Sequence, residues 1–439
     1  MILRFFLRII YFFLKQLVLL CQAIYFPFTT VKGKDHLRFK GPGIIISNHP
    51  NTLLDPLHVV SRTPRQSFFL ANASLFSNPI AGFLLRYLYC IPIYRPGIDK
   101  DKSGQKVDND KSFADTYAHL EKGGVIYIAP EGGSYVGRRL RPLKTGTARI
   151  ALGLEARHNF SIGLHIYPVG LNYEHPDTCG SRLYIEAGEP IRVADWQAAY
   201  EKDPVEAARD FTDYIAARNR QLLIDTVDEE EEQLLYRLER ILQHDEPLPV
   251  DQHYERSQRL LAGIKTLAEK QAPAYSKLQT EAAAYRKGLR DAAVTDRGIS
   301  QRTKSPWTPI TLLGWPVWLY GRTNNIFTYE IPCWIERSVD IYVGYKSTVK
   351  ILSALFTFPL FYFFQFKLVQ LFTSEDLAWW YLLSLPISGM LAWGYAYRIQ
   401  PRLDAWRWRK WAKQEPDTAN RLLAQREALN QTIQKLLAS

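Results

Sequence analysis

A chain of 439 residues, 47% hydrophobic and 23% charged, carries enough apolar material for two or three domains, which excludes a largely disordered protein. The formal charge of +11, from 55 Lys and Arg against 44 Asp and Glu, suits anionic lipid or small phosphorylated molecules; no zinc-finger, RNA-binding or helix-turn-helix pattern accompanies it, and no nucleic-acid partner is expected. Cys21, Cys90, Cys179 and Cys333 are scattered without the short paired spacing of metal sites, so no metal is expected, and mostly buried, reduced thiols are.

Residues 1–30 read as an N-terminal amphipathic membrane helix. They are rich in Leu, Ile, Phe and Tyr, and at about 100° per residue Arg4, Arg8 and Lys15 fall on one face, which would turn toward anionic headgroups. A signal peptide fits less well, because charges run through the apolar stretch and no small-residue cleavage site follows. A true membrane span is the nearer competitor.

Between 31 and 200, short β-branched runs alternate with helical stretches, the pattern of an α/β sheet domain, with strands expected at 43–47, 67–71, 125–129, 166–172 and 182–187. Directly after the apolar run Gly43-Ile44-Ile45-Ile46 comes Ser47-Asn48-His49-Pro50-Asn51-Thr52-Leu53-Leu54-Asp55. Strand ends are where α/β folds place reactive side chains. A carboxylate six residues past the histidine can come round to the far ring nitrogen, fix its tautomer and stabilise the imidazolium formed on proton abstraction. An isolated His and Asp more often cap a helix and solvate a loop, so this pair needs support from elsewhere.

That support comes after the strand Val125-Ile126-Tyr127-Ile128-Ala129, which opens into Pro130-Glu131-Gly132-Gly133-Ser134. Glycines there let the backbone approach a ligand. Arg138, Arg139, Arg141 and Lys144 follow, a concentration of donors suited to a phosphate. No Gly-x-Ser-x-Gly elbow occurs, which argues against a serine hydrolase.

Further on, 201–300 is rich in Glu, Arg, Leu, Ala and Gln and reads as a region of solvated helices. A linker follows at 301–348, its apolar stretch 307–320 expected as a membrane-surface loop because it holds Pro309 and Pro316. The segments 351–372 and 377–397, joined by Thr373-Ser374-Glu375-Asp376, are each long enough for a hydrocarbon core of roughly 30 Å and give an expected transmembrane hairpin at 349–398. Lys346 and Lys350 precede it and Arg398, Arg402, Arg407, Arg409 and Lys410 follow, which puts both flanks, the catalytic domain and a C-terminal helix at 399–439 on the cytoplasmic face.

Together these residues resemble the glycerophospholipid acyltransferase superfamily, whose four motif blocks can be placed here in order. Asn48, His49 and Asp55 match the first, Ile91-Pro92-Ile93-Tyr94-Arg95 the second, Pro130-Glu131-Gly132-Gly133-Ser134 the third and Tyr167-Pro168-Val169-Gly170 the fourth. Two departures stand out: five residues rather than four separate His49 from Asp55, and Gly133-Ser134 replaces the Thr-Arg of the third block. Both resemble the branch that acylates glycerol 3-phosphate and dihydroxyacetone phosphate.

The resemblance implies a glycerol-phosphate acyltransferase-like mixed sheet flanked by helices, and direct transfer from acyl-CoA or acyl carrier protein to the acceptor hydroxyl, without metal or tightly bound cofactor. His49 would be the base and Asp55 its orienter. Asn48, Arg95, Glu131, Gly132, Gly133, Ser134, Arg138, Arg139, Arg141 and Lys144 would hold the phosphorylated glycerol acceptor, with Glu131 orienting an Arg or the acceptor hydroxyl. The implied partners are that acceptor, the acyl thioester and membrane lipids. A 1-acylglycerol 3-phosphate acceptor, which needs an apolar groove, and a non-catalytic lipid-binding protein are the alternatives; the second would gain if Asp55 could not reach His49.

Overall fold

The structure is a computed structural model that describes residues 2–79, 82, 83, 85, 89–93, 110–305 and 307–438; Tyr94 and Arg95 of the second block lie outside them. Two compact units are present. The first comprises Met1–Asp225 together with Tyr342–Thr348, and the second Thr226–Ile341 with Val349–Ser439.

The first unit holds eight strands among the described residues, in one sheet: β1 (Phe28–Lys32), β2 (Gly43–Ser47), β3 (Ser67–Asn72), β4 (Cys90–Ile93), β5 (Val125–Ile128), β6 (His165–Tyr173), β7 (Arg182–Ala187) and β8 (Ile191–Arg192). Their order is β1-β7-β6-β2-β5-β3-β4, with β8 added beside β6. β2 runs parallel to both neighbours, Ile44 opposite Ile126 on one side and Ile166 on the other. β6 pairs antiparallel with β7 and β8, which makes the sheet mixed, as expected. A strand whose five residues are all buried must shed water from both faces, which is why it reads as a continuous isoleucine run rather than an alternating one.

Among the described residues the α-helices of this unit are α1 (Ile2–Tyr25), α2 (Leu54–Val60), α3 (Asp110–Glu121), α4 (Gly146–Arg157), α5 (Gln197–Lys202) and α6 (Pro204–Arg220). Leu120, Ile150, Leu152, Leu154, Phe211 and Ile215 of α3, α4 and α6 pack with Ile44, Ile46, Ile126 and Ile166 in one buried cluster. Asp203 starts α6 by accepting from the Val205 and Glu206 amides, with Pro204 at the first helical position where no N–H is needed.

The unit exceeds the expected 31–200, since α1, the residues up to Asp225 and the remote Tyr342–Thr348 belong to it. At Lys15 α1 departs from expectation; the side chains of Arg4 and Arg8 lie outside the described residues. Lys15 Nζ donates to the Thr63 carbonyl at 2.6 Å, and Gln22 Oε1 accepts from Arg62 at 2.7 Å, so these polar residues turn onto the domain. Phe12, Phe13, Leu17, Leu20 and Ile24 are left exposed.

In the second unit, α7 (Glu229–Asp245), α8 (Val250–Lys270), α9 (Ala272–Asp291), α10 (Asp296–Ser300) and, after α11–α14, α15 (Pro416–Ala438) form a bundle. The expected solvated helices bury a full apolar core that includes Leu234, Leu238, Leu260, Ile264, Leu278, Leu429 and Ile433. The C-terminal helix is part of this bundle rather than separate: Arg426 on α15 binds Asp296 at 2.8 Å and Asp245 at 2.7 Å, while Tyr285 and His244 reach Asp296 at 2.6 and 2.7 Å.

The stretch expected as a surface loop is helical: α11 (Pro309–Asn324) and α12 (Ile326–Ser338). Pro309 sits in the first turn, where its missing N–H costs nothing, and Thr308 closes a capping box with Thr311. Packing sustains Pro316 inside the helix, because Gly321 lets α11 approach the Ser388 backbone of α14 (Glu375–Gln414) and Asn325 donates to the Leu385 carbonyl at 3.2 Å. Both arms of the expected hairpin are helices, α13 (Lys346–Phe372) and α14. Among the described residues one helix, Val343–Phe372, is long and apolar enough to cross a membrane; α14 is diluted by tryptophan and tyrosine and runs on into basic sequence.

Candidate active site

β2 delivers the site. Its last residue, Ser47, hydrogen bonds to the buried Tyr127 hydroxyl at 2.7 Å, and the chain then leaves the sheet edge-on. Asn48 fixes the exit: its amide donates to the Leu171 carbonyl at 2.9 Å and accepts from the Leu171 N–H at 2.8 Å. Both ends of this side chain are thus used on β6, so Asn48 holds the loop where the sequence suggested a substrate contact.

His49 follows, with its side chain 19% exposed, and its Nδ1 donates to Asp55 Oδ2 at 2.9 Å. Asp55 lies in the first turn of α2 and is fully buried. The same Oδ2 accepts from the Asn51 N–H at 2.6 Å, and Oδ1 accepts from the Tyr173 hydroxyl at 2.8 Å. Burial pushes the Asp55 carboxyl up, opposed by His49, the Asn51 amide and Tyr173. Burial and the adjacent Asp55 push Tyr173 well above its ordinary value, so it remains a hydroxyl donor. With Nδ1 committed to the carboxylate, Nε2 is the ring nitrogen left to accept a proton. Between His49 and Asp55, Thr52 takes a left-handed backbone with φ of 38°.

Behind the dyad, Tyr173 and Phe26 present ring edges to the fully buried His58. Burial drives His58 well below its ordinary range, aided by Arg62, so the dyad is backed by a neutral imidazole. A dry backing strengthens the His49–Asp55 interaction.

The third block is stapled to the first by Glu131, which is 5% exposed. One oxygen accepts from the His49 N–H at 2.8 Å and the other from the Arg141 N–H at 3.2 Å. Sequence reasoning expected Glu131 to orient an Arg side chain or a hydroxyl; its carboxylate takes two backbone amides instead. Tyr135 N–H donates to the His49 carbonyl at 3.0 Å and Ser134 Oγ accepts from the Thr52 N–H at 3.1 Å, so Ser134 also holds the loop. Gly132 has a φ of 73°, and a side chain there would meet the stem of Lys144 at 3.4 Å. Gly133 lies against the Tyr135 ring.

The basic loop is therefore anchored to His49 through Glu131. Arg141 stacks its guanidinium 5.0 Å from the Tyr135 ring centre, and the Leu140 N–H donates to Asp225 at 2.7 Å. Arg139 Nε is buried without a hydrogen-bond partner among the described residues. Tyr173 was not legible as a site residue, although its place at the end of β6, beside the strand that carries His49, is the signal that marks it. The thiols are not buried as expected: Cys21, Cys90 and Cys333 are half-buried and Cys179 is exposed.

Burial lifts the Glu131 carboxyl to about 7, outweighing the two amides and His49. An acid held above its ordinary value of 4.5 lends its full stabilisation below that value and loses it as pH rises through about 7. Stability is expected to fall between these pH values by on the order of 3 kcal/mol from this group. Glu131→Gln, neutral throughout, should flatten that part of the curve when thermal midpoints are compared from pH 4.5 to 7.5.

The family described as Acyltransferase matches residues 28–172, a span that holds all four blocks. Glycerol-3-phosphate O-acyltransferase 1 of Saccharomyces cerevisiae is 28% identical over 205 residues, 46% of this chain and 27% of that protein. Glycerol-3-phosphate O-acyltransferase 2 of the same yeast is 39% identical over 92 residues, 21% of this chain and 12% of that protein. The chain thus spans about a quarter or less of the length of these relatives. The crystal structure of the 1-acyl-sn-glycerophosphate acyltransferase PlsC from Thermotoga maritima aligns over 46% of this chain and 73% of that one, at 14% identity and a TM-score of 0.32. Over residues 28–172, where the His–Asp pair is in contact and the Pro-Glu-Gly block is clasped to it, the chain matches the Acyltransferase family and is similar to the two yeast glycerol-3-phosphate O-acyltransferases.

Proposed function

We propose that this protein transfers a fatty acyl chain from acyl-CoA or acyl carrier protein to a hydroxyl of glycerol 3-phosphate or dihydroxyacetone phosphate, in phosphatidic acid biosynthesis. The observation that carries the reading is a part-exposed His49 whose Nδ1 is held by the buried Asp55 at 2.9 Å. That contact speaks against a non-catalytic scaffold, the alternative that the shifted spacing had left open.

His49 Nε2 takes the acceptor hydroxyl proton as the oxygen attacks the thioester carbonyl carbon. The tetrahedral intermediate then expels the thiolate, which leaves with the proton from the imidazolium, so His49 returns neutral. Asp55 stabilises the imidazolium between the two steps and is not itself protonated. Arg138, Arg139, Arg141 and Lys144, with Arg95, would receive the acceptor phosphate. Supporting this, the loop is tied to His49 by Glu131, and the buried Arg139 Nε has no hydrogen-bond partner among the described residues. Holding the phosphate while the hydroxyl stays in attack range is worth several kcal/mol of barrier.

An integral membrane location is supported by the exposed apolar side of α1 and by Val343–Phe372, the one helix among the described residues long and apolar enough to cross; the Lys and Arg on both flanks of the expected hairpin favour a catalytic unit on the cytoplasmic face. The two yeast relatives are named for glycerol 3-phosphate, which favours that acceptor. The test offers the purified full chain in phospholipid vesicles labelled acyl-CoA with glycerol 3-phosphate, dihydroxyacetone phosphate or lysophosphatidic acid. Acylation of either of the first two is expected. Transfer to lysophosphatidic acid alone would overturn the acceptor, and release of free fatty acid without acceptor would make the protein a thioesterase.

A further inference from the structure

The first unit contains a segment far away in sequence, Tyr342–Thr348, which immediately precedes most of the apolar helix α13. Ser347 is fully buried; its hydroxyl lies 2.8 Å from Asn51 Oδ1 and 2.8 Å from the Pro176 carbonyl, and the Asn51 amide donates to that same carbonyl at 2.8 Å. Thr52, 4% exposed, donates its hydroxyl to the Gly344 carbonyl at 2.9 Å and lies 3.4 Å from the Thr348 hydroxyl. Tyr342 accepts from the Val136 N–H at 2.7 Å, on the loop of the third block. A side chain at position 344 would meet the Thr52 methyl at 3.2 Å and the Tyr342 ring at 2.8 Å, so the glycine eases this approach.

These contacts fall on the two residues that decide whether Asp55 reaches His49. The Asn51 N–H binds the very carboxylate oxygen that His49 uses. Thr52 holds a left-handed conformation between His49 and Asp55. A β-branched residue adopts that backbone only when its surroundings hold it there. Ser134 supplies one hold, on the Thr52 amide, from within the third block; the Gly344 carbonyl supplies another on its hydroxyl, and Ser347 holds the neighbouring Asn51.

We propose that Tyr342–Thr348 is a positioning element of the catalytic dyad: Ser347 and the Gly344 carbonyl clamp Asn51 and Thr52, and through them set Asp55 against His49. Its consequence for turnover rests on the acyl-transfer reading, whereas the clamp is a property of the folded chain and can be read without turnover. The loop rests on contacts that the rest of the four blocks does not contain.

The experiment compares full-length wild type, Ser347→Ala, Thr52→Val and Thr52→Ser. Val keeps the shape of Thr without the hydroxyl, and Ser keeps the hydroxyl. Amide exchange in peptides covering 48–57 should speed up about tenfold in Ser347→Ala and Thr52→Val, with β2 and β6 peptides unchanged and Thr52→Ser close to wild type. In the same two variants kcat should fall about tenfold while KM for donor and acceptor stays put. Unchanged exchange at 48–57, equal acceleration throughout the sheet, or faster exchange with full kcat would each overturn the clamp. A wild type that transfers no acyl group would overturn the acyl-transfer reading instead, and the exchange comparison would still decide whether the segment holds the loop.

Discussion

Replacing His49 by alanine is expected to lower acyl transfer by at least about 10³-fold, with the protein still folded and membrane-bound. The side chain is part-exposed at the end of β2 and its ring contact is with Asp55, so truncation leaves the isoleucine core untouched. The interactions that hold this turn use the His49 backbone, its N–H on Glu131 and its carbonyl on Tyr135, and these survive the substitution. Removal of Nε2 takes away the acceptor of the hydroxyl proton, a loss felt only in the transition state, so kcat and kcat/KM should fall together. Steady-state rates with both substrates varied check this, alongside circular dichroism and membrane fractionation.

The second large effect is expected at Asp55. Asp55→Asn keeps the volume but replaces an acceptor-only group with one that also donates, while three donors point at it: His49 Nδ1, the Asn51 N–H and the Tyr173 hydroxyl. One of them must then face an amide N–H. If the imidazole gives way, it flips to the tautomer with its proton on Nε2, where it can no longer act as a base, and the imidazolium loses its counter-charge. A fall in kcat of about 10³- to 10⁴-fold is expected, with KM little changed. The buried mismatch should also cost about 1–3 kcal/mol of stability. Rates within tenfold of wild type would show that Asp55 serves the fold and not the base.

Much of the fold was legible because it is written locally. The run Gly43–Ser47 is a strand with the expected bounds, and so is Arg182–Ala187, since burial on both faces or regular pairing shows as β-branched and aromatic runs bounded by turn residues. β1, β4 and β8 were not foreseen: Phe28–Lys32 follows directly on a helix, Cys90–Ile93 contains a proline, and Ile191–Arg192 has two residues. The helices at 309–338 were hidden by prolines whose tolerance depends on partners elsewhere in the chain.

At the site, the contact between His49 and Asp55 was legible and its supports were not. His49 and Asp55 are six apart and their contact follows from a turn. Tyr173 reaches Asp55 from 118 residues away and Ser347 reaches Asn51 from 296 away, distances that no spacing rule spans. Glu131 was expected to serve a side chain or substrate because sequence shows side chains; its partners are backbone amides, which every residue offers alike. Lys15 was assigned to lipid by its helical face, whereas a carbonyl on the adjoining domain claims it.

The most direct test of the central claim is acyl transfer from labelled acyl-CoA to glycerol 3-phosphate by the purified full chain in vesicles, with His49→Ala prepared and assayed beside it. Labelled 1-acylglycerol 3-phosphate formed by wild type and lost in His49→Ala is the predicted result; equal product from both proteins would contradict a role for His49 as the base.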